Sequence, residues 1–215
     1  MAEIAALSAD EFARRLAGVD AAAASDGELL ARLVAHHEEL RRWAPRVDLV
    51  GPGAGAEIVE RHYAEALAAR PWLPEGPGRL VDLGSGAGFP GLVLAAARPD
   101  LDVWLIEPRS RRAAFLAAAA RRMRLSVRVV GARVGEPLPP EFPDRIDRLT
   151  VRALRLDSRA WRALLPQLAP GARLLSWSGA EPPALPAELV AGRSLRTPAG
   201  DQRWLREYLV AGGAA

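Results

Sequence analysis

The sequence predicts an α/β fold, a doubly wound and mostly parallel sheet with helices on both faces, preceded by a helical N-terminal extension. Three observations predict it. An apolar run, Leu80–Leu83, breaks into the glycine-rich Gly84-Ser85-Gly86-Ala87-Gly88, and an apolar helical pattern follows. From there, strand and helix patterns alternate to about residue 177. Residues 1–77, in contrast, carry helical patterns separated by turn residues.

Capping boxes mark two of the helix starts that we expect in the extension. Ser8-x-x-Glu11 predicts a short first helix, and Ser25-x-x-Glu28 predicts a longer second helix that reaches Trp43. The cluster Gly51-Pro52-Gly53-Ala54-Gly55 ends this unit. A third helix is predicted over 57–70, before a linker rich in proline and glycine.

We therefore expect the helical extension to cover 1–77 and the sheet domain to cover 78–215. The predicted strands are 79–83, 102–106, 126–130, 146–151 and 172–177, and the predicted helices are 90–98, 109–123 and 157–165. Two more strands, Leu189–Leu195 and Trp204–Val210, flank a turn at Thr197–Asp201, and Pro182–Pro186 reads as a loop.

The composition bounds the kind of protein. No apolar run approaches the ~20 residues that span a membrane, and the N-terminus lacks a signal pattern, so we expect a cytoplasmic protein without membrane contact. The chain has no cysteine and three histidines, so no metal site is expected. All 29 basic residues are arginine, whose planar fork suits phosphate, while the net charge is only +3.

The glycine-rich stretch predicts a ligand site. A strand, a glycine turn and a helix in succession bring a nucleotide-sized ligand close to backbone N–H groups, and a Cβ would block that approach. A dinucleotide fingerprint has the spacing Gly-x-Gly-x-x-Gly. Here Gly88 comes one residue early, and Asp82 stands two residues before Gly84. An ordinary tight turn and a nucleotide-dependent oxidoreductase are the alternatives at this point.

Acidic and basic residues at strand ends extend the predicted site. Glu107 ends the second strand, 23 residues after Gly84, where a carboxylate accepts hydrogen bonds from a ribose. Its alternative role is a charge at the start of the next helix. Arg152 ends the fourth strand and should face the crevice, unless it makes a surface ion pair. Asp82 should fix the loop or meet the ligand's amino group.

A run without acidic residues follows Glu107. Between Pro108 and Gly135 there are eight arginines, at 109, 111, 112, 121, 122, 124, 128 and 133. Arg109, Arg111 and Arg112 open a helix, where a cation is mildly unfavourable, so we expect them to neutralise phosphate beside the crevice. Arg121, Arg122 and Arg124 close that helix. Their charges either stabilise the helix dipole or contact RNA, and the sequence favours neither role over the other.

Asp82-x-Gly84-x-Gly86-x-Gly88 resembles the first motif of the class I methyltransferases, which bind S-adenosylmethionine. The resemblance implies a Rossmann-like sheet closed by an antiparallel hairpin. It also implies that the loop wraps the amino-acid and ribose portions of that cofactor, with Asp82, Gly84, Gly86 and Gly88 at the site. A loop at Val134-Gly135 would enclose the adenine.

Further stretches resemble one family of that class, RsmG or glucose-inhibited division protein B, which methylates N7 of a guanosine in 16S ribosomal RNA. The matching stretches are Leu40–Trp43, Asp48–Val50, Val59–His62, Asp82–Gly91, Arg98-Pro99, Glu107, Arg112, Phe115-Leu116, Arg133-Val134 and Val151–Ala153. The resemblance implies cofactor contacts at Gly84, Phe89, Val134, Gly135 and Arg152, with Glu107 in addition. Arg152 and His62 are candidates for positioning the guanine or a phosphate, and His62 alternatively packs the extension onto the core.

The chain departs from the family pattern in three places. Asp48-Leu49-Val50 replaces Asn-Leu-Thr, Glu65-Ala66 replaces Asp-Ser, and no lysine follows the fifth strand at Ser176–Gly179. We expect a monomeric methyltransferase that acts on 16S ribosomal RNA or the small ribosomal subunit. A non-catalytic RNA-binding relative and a small-molecule methyltransferase remain alternatives.

Overall fold

The computed structural model describes residues 3–51, 53, 55–135, 138–197 and 203–211. Seven strands in this part of the chain form one sheet, in the order β3-β2-β1-β4-β5-β7-β6. They are β1 (Gly78–Leu83), β2 (Leu101–Ile106), β3 (Val127–Val130), β4 (Ile146–Arg152), β5 (Leu168–Ser178), β6 (Leu189–Arg196) and β7 (Trp204–Val210).

The pairing confirms the predicted fold class. Strands β1 to β5 pair in parallel, and β7 lies antiparallel between β5 and the edge strand β6. The order reverses between β1 and β4, and in such sheets ligands bind outside the carboxyl ends of the strands at that point. Of the predicted hairpin turn, residues 198–201 lie outside the described residues.

Seven α-helices accompany the sheet in the described ranges. They are α1 (Ala9–Ala17), α2 (Ala21–Ser25), α3 (Gly27–Trp43), α4 (Ala64–Leu67), α5 (Gly91–Ala97), α6 (Ser110–Arg122) and α7 (Ser158–Leu164). Short 3-10 turns cover Arg70–Trp72 and Leu165–Gln167. None of the helices described is long and apolar enough to cross a bilayer.

Two predictions for the extension differ from the structure in different ways. Ser25 does not cap the second long helix, because it is the last residue of α2, and the side chain of Asp26 accepts the Leu29 N–H instead. Ser25 and Asp26 are adjacent and both have side chains that can cap a helix, and in the structure Asp26 is the N-cap of α3. The helix predicted over 57–70 is present but shorter, as a π-helical turn, Val59–Tyr63, that continues directly into α4.

The core lies on both faces of the sheet. On one face a single apolar cluster joins the N-terminal helices, α5 and α6 to the strands, through fully buried residues such as Phe12, Leu33, Leu92 and Phe115. On the other face a smaller cluster packs around Trp161 of α7. The extension therefore shares its core with the sheet, and the boundary after residue 77 stays a prediction.

Candidate functional site

A crevice of about 400 Å³ opens at the carboxyl ends of β1, β2 and β4, where the strand order reverses. We call it the crevice throughout. It is lined by Gly84, Ile106, Glu107, Pro108, Arg109, Arg112, Ala132, Arg133, Val134, Arg152, Ala153, Leu154, Arg155, Leu156, Asp157 and Ala160.

The glycine loop after β1 forms one wall of the crevice. Gly84, Gly86 and Gly88 have φ angles of +69°, +53° and +83°, which L side chains rarely adopt. A Cβ on Gly84 would also lie 3.3 Å from a side-chain carbon of Leu154, which covers this glycine. The Gly84 N–H donates to the Ile106 carbonyl at 2.8 Å and so ties the loop to the end of β2.

Glu107 holds the loop from the opposite side. One carboxylate oxygen accepts the Gly86 N–H and the other accepts the Arg109 N–H, both at 2.9 Å. The side chain is almost fully buried, yet it lines the crevice. Each oxygen keeps a further lone pair, so the carboxylate retains the capacity to accept a ligand hydroxyl.

Asp82 lies beneath the loop, and it is not among the residues that line the crevice. Its Oδ1 accepts the Thr150 hydroxyl at 2.7 Å. Burial raises the pKa of this carboxyl to about 6, against hydrogen bonds that lower it. A Cβ on Gly91 would approach Oδ2 to 2.6 Å and a Leu105 methyl to 2.5 Å, so only glycine lets α5 begin this close to β1 and β2.

An aromatic cluster supports the loop at Phe89. The ring of Phe89 meets His36 and Tyr63 edge-on, with centroids 5.1 and 4.9 Å away, and it stacks on His62 at 5.0 Å. His36 donates from Nε2 to the Ala87 carbonyl at 3.0 Å, and its Nδ1 accepts the Tyr63 hydroxyl at 2.8 Å. Burial lowers the His36 pKa to about 4, so the ring is neutral.

Arg152 lines the crevice, but its hydrogen-bond partners Glu65 and His62 are not among the lining residues. Its Nη2 donates to the Glu65 carboxylate at 2.5 Å and to Nδ1 of His62 at 2.6 Å. Glu65 is fully buried, and it also accepts the Thr197 hydroxyl at 3.3 Å. Arg152 thus makes a buried ion pair, in place of the surface pair considered as its alternative role. Glu65 thus retains a carboxylate at one of the positions where the sequence departs from the resemblance.

His62 is held neutral in this arrangement. Burial, followed by the neighbouring Arg152 charge, lowers its pKa to about 2. Because Nδ1 accepts from Arg152, the ring proton is on Nε2, which is buried without a hydrogen-bond partner. His62 contacts Phe89 and Arg152, so it packs the extension against the loop, and it is not among the residues that line the crevice.

The arginines at the start of α6 differ in their surroundings. Arg109 and Arg111 are exposed beside a shallow groove that also includes Arg46. Arg112 reaches back to the extension, where its Nη2 donates to the Asp48 carbonyl at 2.6 Å. At the other end of α6, Arg122 pairs with Glu38. Arg109 and Arg112 also line the crevice, so basic groups surround its mouth.

The structure brings together part of the predicted site. Gly84, Glu107, Val134, Arg152, Arg109 and Arg112 line the crevice, whereas Asp82, Gly86, Gly88, Phe89 and Gly135 are not among its lining residues. Gly135, with φ of +97°, would bring a Cβ to 3.4 Å from the Ala160 nitrogen. Among the residues described, no three His, Asp or Glu side chains are grouped to hold a metal ion.

Sequence reasoning missed two contributors, His36 and Leu154. The only pattern around His36 is the adjacent pair with His37, which says nothing of its contact with the glycine loop. Leu154 is 41% exposed, a large apolar side chain left at the surface over Gly84. Leu154 lies four residues before α7, in a loop, and nothing in the local sequence indicates that it covers Gly84.

Comparison with known proteins gives the family. A family model described as rRNA small subunit methyltransferase G matches residues 29–185. The chain belongs to this family. The match confirms the resemblance that the glycine loop and the strand-end residues predict.

Curated relatives carry the same name, Ribosomal RNA small subunit methyltransferase G. The protein from Desulfotalea psychrophila is 42% identical over 125 residues, covering 57% of this chain and 57% of the relative. The protein from Salinispora arenicola is 42% identical, with 66% and 61% covered. In Myxococcus xanthus the identity is 39%, with 79% and 76% covered. The chain thus spans less than two thirds of the first two family members.

Solved structures share the fold of this family member. A SAM dependent methyltransferase from Aquifex aeolicus superposes with a TM-score of 0.54 at 16% identity, over 67% of this chain and 88% of that one. TrmN from Thermus thermophilus superposes with a TM-score of 0.58 at 21% identity, over 84% and 53%. At such identities the likeness concerns the fold alone.

Proposed function

We propose that the protein transfers the methyl group of S-adenosylmethionine to N7 of a guanosine in small-subunit (16S) ribosomal RNA. The observation that carries the proposal is the crevice itself. Gly84 and Glu107 face one space at the point where the strand order reverses, in a chain that belongs to the rRNA small subunit methyltransferase G family. Membership of that family argues against a nucleotide-dependent oxidoreductase.

The crevice residues fit this cofactor. Gly84 lines the crevice with its backbone alone, and Glu107 keeps lone pairs for the ribose hydroxyls. We propose that Gly84, Glu107, Val134 and Arg152 contact the cofactor, while Asp82, Gly86, Gly88, Phe89 and Gly135 hold the surrounding loops. S-adenosylmethionine supplies a sulfonium methyl group: the N7 lone pair forms the new bond while the carbon–sulfur bond breaks, and no proton moves.

The protein's own task is alignment. Guanine N7 has a free lone pair at neutral pH, so the site needs no general base. Holding two reactants in line lowers the barrier by ~7–11 kcal/mol in favourable cases. The neutral His62 and the Glu65-bound Arg152 suit this role, because they fix Phe89 and the end of β4 and have no proton to exchange near pH 7.

The exposed Arg109 and Arg111, with Arg112 at the crevice mouth, would neutralise phosphates of the RNA. Their charges lie beside the crevice, where the RNA must approach for its base to reach the cofactor. We place this reaction in the cytoplasm, where small subunits assemble.

We expect the protein to be a monomer. Sedimentation of the purified protein at micromolar concentration measures its oligomeric state.

Mass spectrometry of small-subunit RNA from strains with and without the gene tests the proposal. We expect one guanosine to lose its N7 methyl group when the gene is deleted, and purified protein to restore it on small subunits from the deletion strain. No missing methyl group would overturn the proposal. Cofactor binding without transfer would instead favour a non-catalytic RNA-binding relative.

A further inference from the structure

A second cavity lies next to the crevice and has no role in the site described so far. It has a volume of about 480 Å³ and is enclosed by the ends of β4 and β5, by Trp161 of α7 and by the segment 179–185. Pockets of 300–1,000 Å³ are typical of small-molecule sites. A single purine nucleoside falls at the lower end of that range, so the cavity has room for one.

The two spaces share one wall. Ala153, Leu154, Arg155 and Leu156 line both the crevice and this cavity. Leu154 is 41% exposed, so this wall presents an apolar side chain between the two spaces. Methyl transfer requires the acceptor atom a few ångströms from the donor, in line with the bond that breaks. An acceptor in the cavity would meet a donor in the crevice across this wall.

The cavity has an apolar slot and a polar end. Leu154, Trp161, Pro182 and Leu185 supply flat aromatic and aliphatic surfaces. A base that has left its stack is held in this way, between aromatic or apolar side chains. The polar part of the lining includes the exposed carboxylate of Glu181 and Ser178, the last residue of β5, whose hydroxyl accepts a hydrogen bond from Arg206. Arg155, which is exposed at the shared wall, would face the flanking phosphates.

We propose that this cavity receives the extruded purine that accepts the methyl group, and that Glu181 selects guanine. The inference rests on the proposed function. When N7 of guanine points to the shared wall, the N1–H and the N2 amino group lie on a different edge of the base, away from that wall. Both are donors, and a carboxylate is an acceptor only. Adenine in the same orientation presents an acceptor at N1, which Glu181 would repel.

The variant Glu181→Gln tests the assignment, with Glu188→Gln as the matched control. Glu188 is exposed three residues beyond that segment, and it is not among the residues that line the cavity. We expect Glu181→Gln to lower kcat/KM for small subunits about tenfold or more, because donors of the bound base lose a charged partner. The Kd for S-adenosylmethionine should not change, and Glu188→Gln should match the wild type.

A substrate change gives a readout that a structural role would not move. Once the modified guanosine is mapped, small subunits reconstituted with inosine at that position lack the N2 amino group. The wild type should methylate them about tenfold more slowly, and the loss caused by Glu181→Gln should be smaller on inosine than on guanosine, because only the N1–H contact remains. Equal rates on guanosine and inosine, or unchanged kcat/KM in Glu181→Gln, would overturn the cavity assignment alone. A wild type that methylates no guanosine would overturn the proposed function and the inference with it.

Discussion

The Nε2 atom of His36 donates a hydrogen bond to the Ala87 carbonyl over 3.0 Å, and it joins helix α3 to the glycine loop. The same ring accepts the Tyr63 hydroxyl, so one buried side chain fixes two segments of the extension against the loop. The extension therefore sets the shape of the ligand site, although its helices lie outside the crevice.

We predict that His36→Phe weakens S-adenosylmethionine binding about tenfold, because the loop carbonyl loses its hydrogen bond from the buried ring. Titration calorimetry measures the change. His37→Phe is the matched control, since His37 bonds to the Ala5 carbonyl and not to the loop. Equal affinities of the two variants would show that the hydrogen bond to Ala87 does not shape the site.

Gly84→Val should abolish S-adenosylmethionine binding while the protein still folds. The φ of +69° disfavours any side chain, and the added Cβ would lie 3.3 Å from Leu154, which also lines the crevice. Gly171→Val controls for backbone strain, because Gly171 has φ of +73° with nothing within 4 Å of its Cβ position.

Both glycine variants should lose about 1–2 kcal/mol of unfolding free energy from the left-handed backbone. Only Gly84→Val should lose ligand affinity, as followed by thermal shift with increasing cofactor. If a folded Gly84→Val protein bound S-adenosylmethionine with wild-type affinity, the proposal that the ligand contacts this loop would be wrong.

Breaking the buried pair of Glu65 and Arg152 should be costly. Glu65→Gln leaves the guanidinium buried beside a neutral amide, and we expect a loss of about 3–5 kcal/mol in urea unfolding. Glu28→Gln makes the same change in an exposed pair, since Glu28 is 76% exposed and bonds Arg32 at 2.5 Å. That variant should lose less than about 1 kcal/mol. Similar losses in both proteins would contradict the burial of the Glu65 pair.

The neutral histidines predict acid sensitivity. Burial lowers the pKa of His36 and His37 to about 4 and that of His62 to about 2, from 6.5. Between pH 6.5 and 4 the unfolded chain binds protons that the folded protein does not, so the stability of the fold falls as the pH falls. Each histidine contributes about 1.4 kcal/mol per pH unit in that window.

His37→Gln should make the free energy of unfolding less dependent on pH, because one fewer histidine takes up a proton on unfolding. The measurement is the free energy of unfolding in urea at pH 7, 6 and 5, for the wild type and the variant. The difference between the two curves cancels the carboxylates, which titrate in both proteins. Curves that stay parallel from pH 7 to 5 would mean that His37 takes up its proton in the folded protein as readily as in the unfolded chain.

Local patterns were enough for the sheet and for the glycine loop. The strand, the turn and the helix around Gly84 follow from hydrophobic periodicity and from glycines at positions with positive φ, which are properties of short stretches. The sequence also predicts that the glycine loop lies beside Glu107, because the carboxyl ends of neighbouring parallel strands lie at the same edge of the sheet. The capping of α3 was wrong, since Ser25 and Asp26 both have capping side chains and only packing chose between them.

The sequence by itself determined the fold class, the family and which strand ends carry polar residues. Only the tertiary structure decided what those residues contact. His36 and Ala87 are 51 residues apart, and Glu65 and Arg152 are 87 apart. No local pattern specifies such pairs, because they form only when the extension packs on the sheet and water leaves the interface. The same packing turned His62 from a candidate ligand contact into a neutral support beneath Phe89.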